Sequence, residues 1–128
     1  MYIAHINEKT GKVQSVKEHN ENVAELCRQF SIPQLQEICS ATGKLHDIGK
    51  YGRNFQRRIN GENIQVDHST AGAAVMQEHY GMPASMIAGL CIAGHHAGIP
   101  DMGIDADSAR EDLAATLRTR IAQKLKRC

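Results

Sequence analysis

Gly43-Lys44-Leu45-His46-Asp47-Ile48-Gly49-Lys50 sets an imidazole beside a carboxylate, with a lysine one helical turn later. Ser31 and Pro33 open a helix upstream of it. Leu35, Ile38, Cys39, Thr42, Leu45, His46 and Gly49 then recur at helical intervals, which predicts one helix carrying the pair on its apolar side. Neighbouring helical residues point roughly 100 degrees apart, so His46 and Asp47 share a site only if it lies over the helix edge. Asp47 has two oxygens and can bridge two cations, as a two-metal hydrolytic site requires. The Lys50 ammonium reaches the same mouth, where a cation neutralises charge developing on a phosphoryl oxygen. The competing reading is a lysine complementing the C-terminal helix dipole.

Three further segments bring histidine to the inner side or the end of a helix. Ser15-Val16-Lys17-Glu18 has capping-box spacing, and Val16, His19, Val23, Leu26, Cys27 and Phe30 follow as one stripe, so His19 is expected on the buried side. A helix from about Asp67–Ser69 to Tyr80, stopped by Gly81, puts His68, Gly72, Val75, Met76 and His79 on one face. Pro83 opens the next helix, through Ile87, Leu90 and Cys91 to His95-His96, where Gly94 and Gly98 leave the backbone free to turn both rings inward. A single histidine on an apolar face is ordinarily a satisfied core residue. Four segments doing so together would each need a buried partner, and a shared metal supplies it once for all.

The remaining pattern is simple. Tyr2 to Ile6 and Val13 to Val16 flank a turn-like segment, which predicts a small N-terminal β-hairpin. A short helix is expected over Arg53 to Ile59, ended by Asn60-Gly61, then a loop to Val66 and another over Gly98-Ile99-Pro100-Asp101. Ser108-Ala109-Arg110-Glu111 is a second capping box, predicted to open a helix with Leu113, Leu117, Ile121 and Leu125 on one stripe. The sum is one all-α domain over residues 1–128, a helical bundle with a small β-hairpin and no internal repeats.

Composition narrows the function. The chain has 128 residues and a formal charge of +1, so neither a polyanion-coating protein nor an acidic tail is indicated. Aromatics are 4% with no tryptophan, which disfavours a broad base-stacking platform, whereas seven histidines point to metal chemistry. Cys27, Cys39, Cys91 and Cys128 form no Cys-x-x-Cys pair; the first three lie among apolar residues and are expected as small buried hydrophobes in a reducing cytoplasm. No signal peptide or membrane-length apolar run is seen.

His46-Asp47-Ile48-Gly49-Lys50 resembles the signature of the HD-domain metal-dependent phosphohydrolases. Asp67-His68-Ser69-Thr70-Ala71-Gly72-Ala73 and Ala93-Gly94-His95-His96-Ala97-Gly98-Ile99-Pro100-Asp101, with Ala4-His5 and Lys17-Glu18-His19, make the chain similar to the HD nuclease of type I CRISPR systems. The resemblance implies an HD-domain bundle in which His19, His46 and Asp47 hold one metal. Asp47 would bridge to a second, completed by His68, His95 and His96, with Lys50 facing the scissile phosphate. It implies up to two divalent ions (manganese, nickel, cobalt or iron) and hydrolysis of single-stranded DNA by metal-activated water. A CRISPR helicase, fused or separate, and a surveillance complex are the implied partners.

The family carries a later Asp, on a C-terminal helix, that completes the first metal. Asp101, Asp105, Asp107, Glu111 and Asp112 are not in its setting. A truncated domain is therefore expected, with a weakened first metal, reduced cleavage, and a half-covered last helix that favours a homodimer. Two other readings stand beside the nuclease: an HD phosphohydrolase of nucleotides or cyclic nucleotides, and a non-catalytic metal- or partner-binding module. Lys44, Arg53, Arg57 and Arg58 are candidate DNA-backbone contacts, with a solvated face as the ordinary alternative. Arg118, Arg120, Lys124, Lys126 and Arg127 read as a polar helix face, and His5 and His79 as structural or surface residues.

Overall fold

The computed structural model describes residues 1–96, 98–103 and 116–126. It is mostly helical, with one small antiparallel sheet at the N-terminus. Strands β1 (Ile3–Ile6) and β2 (Val13–Ser15) form the expected hairpin. Its turn is closed by the Asn7 carboxamide, which accepts from the Lys9 and Thr10 amides, and by Gly11 at φ 68°. The register slips between Ile3 and His5. Such an irregularity bends a strand and re-aims its side chains.

Helix α1 (Val16–Phe30) starts where the capping box places it, with the Ser15 hydroxyl accepting from the Glu18 amide at 3.1 Å. Its buried face is Val16, Asn20 and Ala24. The predicted stripe drifts off that face towards the C-terminus: Leu26 is half exposed and Phe30 is 86% exposed. Helix α2 (Gln36–Leu45), preceded by a 3-10 turn at Pro33–Leu35, packs against α1. Gly43 is the contact that permits this, since a Cβ there would lie 2.9 Å from the Ala24 Cα and the Val23 carbonyl.

The largest departure from the sequence reading lies here. The helix does not run on through Gly49; it ends at Leu45, and a 3-10 turn over Ile48–Tyr51 follows. The break falls on the His-Asp pair. Asp47, at φ −115° and ψ 18°, leaves the helical path, so the two side chains are not held to helical divergence.

Helix α3 (Arg53–Ile59) has the predicted limits. Helices α4 (Ser69–Tyr80) and α5 (Ala84–Gly94) form the centre of the core with α6 (Leu117–Leu125). Ala73, Ala74, Met76, Ala88, Ile92, Ala93, Leu117 and Ile121 are its buried members. These small residues let the helices approach closely, and Gly72 meets the Leu45 carbonyl so tightly that no Cβ fits. Three expected faces are corrected. On α5 the inner residues are Ala88 and Ile92, while Ile87 is 68% exposed and Cys91 is on the surface. Cys27 and Cys39 are only partly buried. On α4 His79 faces outward. Alanine-rich helices give a weak apolar signal, and the glycines rather than the larger residues mark the contact side.

The Ser108 capping box, Leu113, Asp105, Asp107, Glu111 and Asp112 lie outside the described residues. Thr116 is extended and caps α6 through the Thr119 amide, so the expected stripe is not one continuous helix. Of the expected stripe, Leu117 and Ile121 are buried within the chain and Leu125 is exposed, while Leu113 lies outside the described residues. Among the described residues, no helix is long and apolar enough to cross a membrane.

Candidate metal centre

The end of α2, the start of α4 and the end of α5 converge with the first turn of α1 and with β1 on the Asp47 carboxylate. His19 on α1 places Nε2 3.1 Å from Asp47 Oδ2, and His46 places Nε2 3.3 Å from the same oxygen. On the other side, His95 Nε2 lies 3.4 Å and His68 Nε2 3.5 Å from Oδ1. The His96 ring stacks beside His95 with centroids 4.0 Å apart. Lys50 Nζ is 2.8 Å from Oδ2, and both partners are buried, at 3% and 2% exposure. The structure thus brings His19, His46, Asp47, Lys50, His68, His95 and His96 into one place.

Local structure explains why these rings point inward. His46 and His95 both follow the last residue of a helix, where the terminal carbonyls lack amide partners. The His46 Nδ1–H donates to the Gly43 carbonyl at 2.7 Å, and the His95 Nδ1–H to the Ile92 carbonyl at 2.6 Å. Those bonds fix the tautomer of each neutral ring and leave Nε2 as a bare lone pair facing the carboxylate. Two lone pairs aimed at an anion repel unless a proton or a metal lies between them. Asp47 Oδ1 and both His68 nitrogens are buried without a hydrogen-bond partner. Orphaned donors and acceptors of this kind are costly, and a cation shared among them removes the cost.

The donor atoms fall into two groups. Those of Asp47, His68, His95 and His96 lie within 4.8 Å of one another, and so do those of His5, His19 and Asp47. Imidazole nitrogen with one carboxylate suits divalent transition metals better than magnesium, which prefers oxygen ligands. The electrostatics agree. Burial alone would raise the Asp47 carboxyl, but the bonds that His46 and His95 make to it when a proton sits on Nε2, the Lys50 bond and the Lys50 charge outweigh burial and hold the group ionised. Burial pushes His68 down to about 4 and lowers His5, His19 and His96, keeping them neutral and ligand-competent near pH 7. His95 alone is raised, chiefly because the protonated ring can donate from Nε2 to Asp47, which the neutral ring cannot.

A cavity of about 780 Å³ opens over this centre, and His5, Lys50, His68, His96, Arg58 and Arg120 are among its walls. Of the four basic residues expected along a DNA backbone, only Arg58 lines it. Arg57 is paired with Glu62 at 2.6 Å, Arg53 lines a separate hollow beside Tyr2 and Tyr51, and Lys44 lies in a third with Lys17 and Glu21. Asp101 uses its carboxylate to accept from the Gly103 amide.

Three residues of the site were not anticipated. His5, expected as a surface residue, reaches the centre: its Nε2 is 3.1 Å from Lys50 Nζ and its ring packs on His19. Gln56 pins β1 to the centre, bonding both the amide and the carbonyl of Ile3 and the Lys50 carbonyl. Arg120, expected on a polar face, bonds the Thr70 and Ser69 hydroxyls and reaches the cavity. Each lies far in sequence from its partner, so no local spacing signals it. A family model described as "Cas3, HD domain" matches residues 7–127 of the chain. No curated protein matches it.

Proposed function

The chain belongs to the Cas3 HD-domain family, the metal-dependent HD hydrolases of CRISPR systems, and from that premise we propose that it hydrolyses phosphodiester bonds of single-stranded DNA at the Asp47 centre. The supporting observation is the pair of bare Nε2 lone pairs, fixed by backbone carbonyls, that converge with two further imidazoles on one buried carboxylate. Such an arrangement is of little use to a stable apolar core and is what one or two divalent ions require.

His19, His46 and Asp47 would hold one ion, and Asp47 with His68, His95 and His96 a second. Bound ions supply Lewis-acid polarisation of the phosphodiester and a more acidic water. The chain's own groups do the rest. Asp47 stays ionised and would be shared between the two. Lys50 sets a fixed positive charge next to the carboxylate, where it offsets charge building on a phosphate oxygen. Arg58 contacts a flanking phosphate without reading a base, and Phe55, 5.1 Å from the His68 ring, forms an apolar wall. Manganese, nickel, cobalt or iron fit the donor set. Delivery of the strand falls to a helicase and a surveillance complex, as in the rest of the family.

Elemental analysis before and after loading with manganese or nickel, followed by cleavage of a labelled single strand, tests this. Uptake of up to about two ions per chain, the one at His19 and His46 the weaker, and metal-dependent cleavage are expected. Hydrolysis of free nucleotides with no cleavage of DNA, or no metal uptake, would overturn the reading.

A further inference from the structure

We propose that His5 is a positioning residue of the centre: its Nε2 accepts a hydrogen from Lys50 and, with the Ala4 carbonyl, fixes the ammonium against Asp47. His5 precedes the residues that the family model matches. The inference rests on the reading of Lys50 given above.

An ammonium carries three hydrogens and has no lone pair, so the contact with His5 has only one direction: lysine donates and Nε2 accepts. Lys50 Nζ meets three acceptors, Asp47 Oδ2 at 2.8 Å, His5 Nε2 at 3.1 Å and the Ala4 carbonyl at 3.4 Å. All three hydrogens of this buried group are therefore used, and two of the acceptors come from β1. The Phe55 ring, 5.4 Å from Nζ, closes a further side.

The hairpin is built to deliver those acceptors. The slip in register falls between Ile3 and His5, where it turns the Ala4 carbonyl and the His5 ring to the same neighbour. The Gln56 side chain then clamps Ile3 through both of its backbone groups and ties the same carboxamide to the Lys50 carbonyl. β1 and the turn that carries Lys50 are thus held in one frame. The lone pair of His5 is engaged by Lys50, so His5 acts through the ammonium rather than as a metal ligand.

The test uses the full chain with His5→Ala and His5→Gln, the latter retaining an acceptor oxygen. In chelator-treated, 15N-labelled protein, the Lys50 ammonium is expected as a slowly exchanging proton–nitrogen signal that Lys50→Met removes. It should persist in His5→Gln and vanish in His5→Ala. In the manganese-loaded protein, His5→Ala should lower kcat on single-stranded DNA by about tenfold or more, with KM and metal content unchanged and most of the rate restored in His5→Gln. An ammonium signal unchanged in His5→Ala would overturn the proposal, as would the loss of an ion from that variant, which would make His5 a ligand. If the wild-type chain binds metal and cuts no DNA, the nuclease reading fails, and the ammonium signal alone decides the role of His5.

Discussion

At Asp47 the cost of burying a carboxylate without a metal is offset chiefly by the Lys50 ammonium 2.8 Å away, among four imidazoles. Removing its charge leaves that ammonium buried beside uncompensated rings. Asp47→Asn is therefore expected to lose bound metal and to lower stability by about 3 kcal/mol, read by urea unfolding of the chelated protein. Unchanged stability would mean that the Lys50 pair contributes nothing net. His68 gives a second prediction. Its ordinary value is 6.5, and burial, opposed by the Asp47 charge, pushes it down to about 4 in the folded chain. The unfolded state then binds more protons between those values, so the contribution of His68 is whole above 6.5 and drains away as pH falls towards 4. His5, His19 and His96 shift in the same direction and His95 in the opposite one. The melting temperature of chelated protein should fall from pH 7 to about pH 4.5, and His68→Asn should flatten that fall. A slope unaltered by the substitution would count against burial as the cause.

Elements matter here mainly by where they stop. α2 ends at Leu45, α5 ends at Gly94 and α4 begins after His68, so three helix termini meet at the centre. Histidines at such ends can bond a terminal carbonyl and still face inward, which a ring in mid-helix cannot do. Periodicity predicted the helices well because burial on one side leaves a repeat in the sequence. It carried α2 too far because His46 and Gly49 continue that repeat, while the stop depends on packing: a Cβ at Gly49 would strike the His68 carbonyl. The same closeness holds Gly72 against the Leu45 carbonyl and the Ile92 side chain. Gly72→Ala should push α4 away from the His46-Asp47 corner. We expect a loss of about 1–3 kcal/mol and weaker metal binding, measured by unfolding and by metal titration. A variant as stable as wild type with full metal content would show that the corner can give way.

Over the whole molecule, charge is nearly balanced, and the basic residues are spread over separate surfaces. Arg58 faces the cavity over the centre, and Arg57 is engaged by Glu62. Arg58→Ala should weaken single-strand binding uniformly across sequences and reduce the magnitude of the salt dependence by about 0.7, the share of one phosphate contact on a single strand. Arg57→Ala should leave both nearly unchanged in a fluorescence-anisotropy titration. Equal effects of the two would mean that the strand does not follow this cavity.

The sequence by itself determined the helical bundle, the hairpin, the resemblance, and the His, Asp and Lys residues gathered at the centre. Those features are local: a repeat, a cap, a short motif. The tertiary structure decided which faces were buried along the alanine-rich helices, where apolar contrast is weak, and it turned Ile87, Cys91 and Phe30 outward. It also decided that His5, Gln56 and Arg120 reach the centre or its cavity and that Arg53, Arg57 and Lys44 line other hollows. Each of those assignments depends on a contact between distant parts of the chain, such as the 3.1 Å from His5 to Lys50, and no spacing along the sequence encodes such a distance.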